Sequence, residues 1–141
     1  MAYNLEGRVA VVTGATGGMG RAIAAELYRQ GATVVMTGRD IDKLNNLRDV
    51  IIKKVTSTSP KTPAPVGISL DLTATDVEKT LVEYTIRATN RLDILVNNAG
   101  NTDGKMFLKT NHDFLNRVMH INFTTPYFIM QAALPQMLKN K

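Results

Sequence analysis

The segment Thr13-Gly14-Ala15-Thr16-Gly17-Gly18-Met19-Gly20 constrains this chain more than any other, because of what flanks it. Before it, Val9, Ala10, Val11 and Val12 form an unbroken apolar run, the mark of a strand buried on both faces. After it, Gly20 to Gln30 are good helix formers, with Ile23, Leu27 and the alanines able to face a sheet, and Gly31 stands where a left-handed helix stop belongs. A glycine-rich turn between a buried strand and a helix is an anion site, because unpaired N–H groups and the positive end of the helix dipole meet there. In that setting Gly14 permits the tight turn, Gly18 lets backbone approach phosphate oxygens, and Gly20 allows close contact between helix and sheet. The spacing is neither G-x-G-x-x-G nor a P-loop, since no Gly-Lys-Ser/Thr follows, which argues against ATP or GTP hydrolysis.

The strand-then-helix pattern repeats. Ala32 to Thr37 reads as a second buried strand, and Ile41, Leu44, Leu47, Ile51 and Val55 mark one face of a helix with Asp40 as its N-cap. Thr56 to Pro65, rich in Ser, Thr and Pro, is expected to be an exposed connection. Val66 to Leu70 predicts a third strand, Thr73 and Asp76 a capping pair for a helix to about Ala88, and Leu92 to Val96 a fourth strand. A last helix is expected from near Thr110, capped by Thr110 with Asp113, packed through Phe114, Val118, Ile121, Phe128 and Leu134, and bent at Pro126. Strands alternating with helices predict an α/β fold, a Rossmann-like doubly wound parallel sheet with strand order 3-2-1-4, as a single domain over residues 1–141.

Composition removes several other classes. With no cysteine and two histidines, the chain carries neither a disulfide framework nor a zinc site, and no metal is expected. The first residues lack the basic start and apolar run of a secretory signal, and no apolar stretch approaches the roughly 20 residues of a membrane span, so a soluble, cytoplasmic protein is expected. The match of Asn122-Phe123-Thr124 to a glycosylation sequon is then accidental. The net charge of +5 comes from scattered lysines with few aromatics among them, a solvated surface rather than a nucleic-acid face.

Taken together, the glycine turn TGATGGMG, Asn97-Asn98-Ala99-Gly100 after the fourth strand, Asp71-Leu72 after the third, and Asn122 in the final helix resemble the short-chain dehydrogenase/reductase family. The glycine turn is similar to its T-G-x-x-x-G-x-G cofactor motif, and the N-N-A-G tetrapeptide to its motif of that name. The resemblance covers the whole chain and implies a dinucleotide held by Gly14, Thr16, Gly17, Gly18, Met19 and Gly20. It further implies that Asp71 and Leu72 meet the adenine. Asn97, Ala99 and Gly100 would line the nicotinamide side, with Asn97 and Gly100 also holding adjacent backbone together, while Asn122 occupies the catalytic relay position and distorts its helix. Arg39 follows the second strand where the ribose 2′ position arrives, and a guanidinium there grips a 2′-phosphate through paired donors, so NADP(H) is expected over NAD(H). Asp40 could compete for a ribose hydroxyl, although it also suits the N-cap.

The implied activity is hydride transfer between cofactor and a carbonyl or alcohol, with a Ser, a Tyr and a Lys four residues after it moving the proton. The four tyrosines, Tyr3, Tyr28, Tyr84 and Tyr127, are followed four positions on by Gly7, Ala32, Ala88 and Gln131, so that motif is missing. The chain is therefore expected to be the cofactor-binding half of such an enzyme, not competent by itself, acting on a small-molecule substrate as part of a homo-oligomer. The alternative is a short non-catalytic dinucleotide-binding or regulatory module acting through subunit association. His112 is read as a first-turn helix residue without a catalytic role.

Overall fold

The computed structural model describes residues 3–55, 62–101 and 104–140. Its centre is a parallel sheet of β1 (Val9–Val12), β2 (Thr33–Gly38), β3 (Val66–Ser69) and β4 (Ile94–Val96), in the order β3-β2-β1-β4. Register pairs Val11 with Val35 on one side and with Leu95 on the other. Five helices accompany it: α1 (Gly18–Arg29), α2 (Ile41–Lys54), α3 (Val77–Thr89), α4 (His112–Met119) and α5 (Thr125–Lys139). The expected strand order is the observed one. Residues 56–61 of the expected Thr56–Pro65 connection lie outside the described residues.

The strands' two-residue alternation sorts the core into two layers. Ala10, Val12, Val34 and Met36 face Ala24, Tyr28, Leu44, Leu47 and Ile51 of α1 and α2. Val9, Val11 and Val35 face Leu72, Val77, Leu81, Val82, Leu92, Ile129 and Ala133 on the other side. Covered on both faces, β1 is buried along its whole length, whereas β4, at the sheet's edge, is half-buried throughout. Among the described residues no helix is long and apolar enough to cross a membrane.

The helix ends show which local signals are obeyed. Asp40 caps α2, accepting from the N–H groups of Asp42 and Lys43. Gly31, at φ +95°, ends α1, with the N–H of Ala32 reaching back to the carbonyl of Leu27. The expected Thr73–Asp76 capping pair does not form. Asp76 takes a left-handed conformation at φ 55° with no side-chain cap, and Thr73 turns to Asp71 instead, an Asx turn outcompeting the helix cap. Asn111 rather than Thr110 caps α4, since its side chain accepts from Phe114 N–H while Thr110 donates to the Phe107 carbonyl. Pro126, expected to bend the final helix, falls in the first turn of α5. The interruption is a single π-helical turn over His120–Thr124. That extra residue rotates the apolar face, so Ile129 and Ala133 enter the core and the expected Phe128 and Leu134 stay exposed.

At the end of the sheet remote from the glycine turn, Asp93 locks β4 to β1. Its side chain is 7% exposed, accepts from Val9 N–H at 2.8 Å, and pairs with Arg91 at 2.6 Å and Arg8 at 3.0 Å. Burial pushes this carboxyl up, but the Arg91 fork, the Val9 amide and Arg8 together outweigh it and hold the pKa at about 2. The native value is below that of an unfolded chain, so the stabilisation is complete above about pH 4 and is lost as pH falls toward 2. Urea unfolding at pH 7 should show Asp93→Asn less stable by about 2 kcal/mol. At pH 3 that gap should shrink, and an unchanged gap would contradict the assignment.

Candidate cofactor site

All strands are parallel, so the loops following them emerge at one end of the sheet. The chain steps from β1 out to β2 and β3, then returns to β4 on the other flank of β1. The loops after β1 and β4 therefore diverge, and open α/β sheets bind ligands in the crevice at such a switch point. Beside it, a narrow cleft between the end of the sheet and α5 is lined by Thr13, Leu72, Asn97, Ala99, Ile121, Thr125, Pro126 and Ile129.

The glycine turn is fastened to the end of β4 by a compact polar bracket. The buried Thr13 hydroxyl accepts from the N–H groups of Asn98 and Ala99, both at 3.1 Å. In return, Asn98 Nδ2 donates to the carbonyls of Thr13 and Gly14, both at 3.1 Å. These bonds draw backbone so close that two glycines become obligatory. Gly14 has φ +62°, and a Cβ there would lie 2.8 Å from Ala99 Cα; a Cβ on Gly20 would lie 2.6 Å from Asn98 Nδ2. The bracket belongs to Asn98, which sequence reasoning passed over, and not to Asn97, whose exposed side chain reaches only the Pro126 carbonyl at 3.4 Å. The available signal was the doubled Asn itself: the second one falls beside the β1 turn.

Beyond the bracket, α1 begins at Gly18, two residues earlier than expected, which puts Gly18, Met19 and Gly20 in its first turn. Their amides have no intrahelical acceptors, the N-cap Gly17 offers no side-chain cap, and the turn holds no acidic residue. A Cβ on Gly18 would meet nothing within 4 Å. The packing of the chain itself does not require glycine there, but an anion resting on these amides would. Met19 is 72% exposed on the same turn, and Thr16 packs its methyl 3.3 Å from where a Cβ of Gly38 would stand.

Arg39 and Asp71 stand at the ends of β2 and β3. Asp40, Arg39's rival for a ribose, is already committed: Oδ1 caps α2 and Oδ2 pairs with Lys43 at 3.7 Å. The exposed Arg39 guanidinium has no hydrogen-bond or ion-pair partner among the described residues, while Arg39's carbonyl accepts from Ser69 Oγ. Asp71 Oδ1 accepts from Thr73 N–H and, at 2.7 Å, from its hydroxyl; these bonds, with a smaller contribution from the Arg39 charge, hold the carboxyl below its ordinary value. Leu72 presents no side chain to the crevice mouth, being 8% exposed within the α3–α5 core layer.

Asn122 sits in the π-turn. Nδ2 donates to the carbonyls of Asn101 at 2.7 Å and Val118 at 2.8 Å, and Oδ1 accepts from Asn101 N–H at 3.2 Å. The amide thus replaces the helix bond that the π-turn removes and clamps the loop after β4, close enough that a Cβ on Gly100 would lie 2.6 Å from Oδ1. His112 is exposed on α4, and no group of His, Asp and Glu able to hold a metal occurs among the described residues.

This geometry predicts that Asn98→Ala, which strips the Thr13 and Gly14 carbonyls of their side-chain donor at the β1–β4 junction, lowers stability by about 2 kcal/mol in urea unfolding. A change below about 0.5 kcal/mol, the ordinary surface value, would contradict the bracket.

The same pattern exists in known proteins. The model of the short chain dehydrogenases matches residues 8–141. The 3-oxoacyl-(acyl-carrier-protein) reductase FabG of Aquifex aeolicus is 31% identical over all of this chain and 54% of its own length. That of Vibrio harveyi is 34% identical over 98% of this chain and 52% of its own. Among solved structures, a metagenomic short-chain oxidoreductase in complex with NADP superposes with TM-score 0.83 at 32% identity, covering 97% of this chain and 59% of that one. A short-chain type dehydrogenase/reductase from Mycobacterium marinum gives TM-score 0.85 at 25% identity, covering 99% and 53%. The chain spans about half the length of the curated relatives it matches. With the glycine turn, the Asn98 bracket and the Asn122 π-turn all anchored to the loop after β4 or its partner β1, and a family match over nearly every residue, the chain belongs to the short-chain dehydrogenase/reductase family.

Proposed function

We propose that this chain is the cofactor-binding half of a cytoplasmic NADP(H)-dependent oxidoreductase that interconverts a small carbonyl compound and its alcohol. The observation carrying this reading is the uncapped first turn of α1 at the carboxyl end of β1, with open space beside Gly18. Its amides and helix dipole suit a pyrophosphate. When bound, the cofactor supplies the hydride. The chain's part is to hold it: Gly14 and Gly20 shape the turn, and Thr16, Gly17, Gly18 and Met19 border the pyrophosphate. Asp71 and the Leu72 backbone meet the adenine end, and Asn97, Ala99 and Gly100 the nicotinamide end. Asn122 keeps the last of these loops in place.

Preference for NADP(H) rests on the contrast between Arg39, exposed and unengaged among the described residues, and Asp40, consumed by its cap and Lys43. Proton-transfer groups of the Tyr-x-x-x-Lys kind have no counterpart among these 141 residues, so we infer that the chain by itself binds cofactor without turnover. A second reading, a non-catalytic module acting through association with other subunits, draws on a different feature. Leu115, Met119, Phe123, Tyr127, Leu134 and Leu138 follow one another along α4, the π-turn and α5, each between 47% and 61% exposed. A stripe of this kind suits association with protein, a second copy included.

Fluorescence titration of the purified protein should give a Kd for NADPH at least about tenfold below that for NADH, the value of a charge-assisted pair of bonds to the 2′-phosphate. Arg39→Asp should invert the order. Equal affinities in the wild type, or an unmoved ratio in the variant, would remove Arg39 from this role.

A further inference from the structure

The side chain that anchors the adenine end of the crevice is not in the adenine loop. Leu72 follows Asp71, and its carbonyl accepts a buried hydrogen bond, 2.9 Å, from Thr125 Oγ1 on the first residue of α5. Thr125 is 5% exposed and Leu72 8%, so solvent offers neither group a substitute partner. Every other hydrogen bond of the Asp71–Thr73 segment in the described residues is internal to it or reaches Ala74. Leu70 N–H, just before this segment, bonds the Gly38 carbonyl of β2, and the Thr125 hydroxyl is the polar tie from the segment itself to α5.

The other end of that tie is equally well defined. Thr125 follows directly on the π-turn whose Asn122 clamps Asn101, and it precedes Pro126, whose carbonyl accepts from Asn97. The start of α5 is thus tied at two points to the loop after β4 and in turn holds the loop after β3. Below it, Ile129 and Ala133 fix the helix in the core.

We propose that Thr125 is a positioning residue for cofactor binding: its hydroxyl sets the height of the Asp71-Leu72 backbone and so places the Asp71 carboxylate against the adenine. This rests on the cofactor reading above. Thr125 commits its hydroxyl to the Leu72 carbonyl. It acts through Leu72, and its effect falls on ligands that carry the adenosine moiety.

The test compares Thr125→Val, which keeps the shape and removes the hydroxyl, with Thr125→Ser, which keeps the hydroxyl. NADPH, adenosine 2′,5′-bisphosphate and reduced nicotinamide mononucleotide are titrated against each, and thermal unfolding is recorded in parallel. Thr125→Val is expected to weaken both adenosine-bearing ligands by about tenfold, the upper range for one neutral hydrogen bond. The mononucleotide should bind as it does to the wild type, and Thr125→Ser should restore the other two. Equal weakening of all three ligands, or no weakening, overturns the proposal while leaving the cofactor reading intact. A wild type that binds none of the three overturns that reading, and the proposal with it.

Discussion

The closeness of two pieces of backbone, the turn after β1 and the end of β4, governs the rest of this structure. Strands on opposite flanks of a topological switch normally part company beyond their last residues. Here the Thr13 hydroxyl and the Asn98 amide tie them together, and Gly14, at φ +62° against Ala99, is the residue that lets them meet. Once that junction is made, α1 starts directly beside it, with its first amides uncapped by any side chain. A side chain at Gly14 or Gly20 would collide with backbone or with the Asn98 amide that cannot yield without opening the junction. The uncapped helix start is a consequence of how β1 and β4 are joined.

Much of this was legible from the sequence, for reasons of period and punctuation. Apolar runs such as Val9–Val12 and Val34–Met36 have no polar face, which only a doubly covered parallel strand tolerates, and strand order followed from the alternation with helices. Asp40 and Gly31 worked as end signals because each acts on its own immediate backbone. The glycines, Asn122 and the N-N-A-G tetrapeptide were identifiable as a set. Their individual duties were not, because Asn97 and Asn98 are chemically identical and only tertiary placement decides which one faces Thr13.

The misreadings share a cause: competition between local hydrogen bonds that spacing alone does not rank. Thr73 had two carboxylates within reach and took Asp71, leaving Asp76 uncapped. Asn111 beat Thr110 to the α4 amides. Pro126 was expected to bend the last helix, yet the irregularity lies before it, where Asn122 bonds the Val118 carbonyl and a π-turn adds a residue ahead of α5. A 3.6-residue period cannot anticipate an inserted residue, so Ile129 replaced Phe128 in the core.

The central claim, that a dinucleotide lies across the carboxyl ends of the strands on the α1 amides, is tested most directly by amide-resolved NMR during titration with NADPH. The signals of Gly14, Gly18, Met19, Gly20, Arg39 and the Asn97–Gly100 loop should shift on binding, while Val9, Asp93 and Asn140 at the opposite end should not. Shifts centred on that opposite end, or a still glycine turn under saturating cofactor, would contradict it.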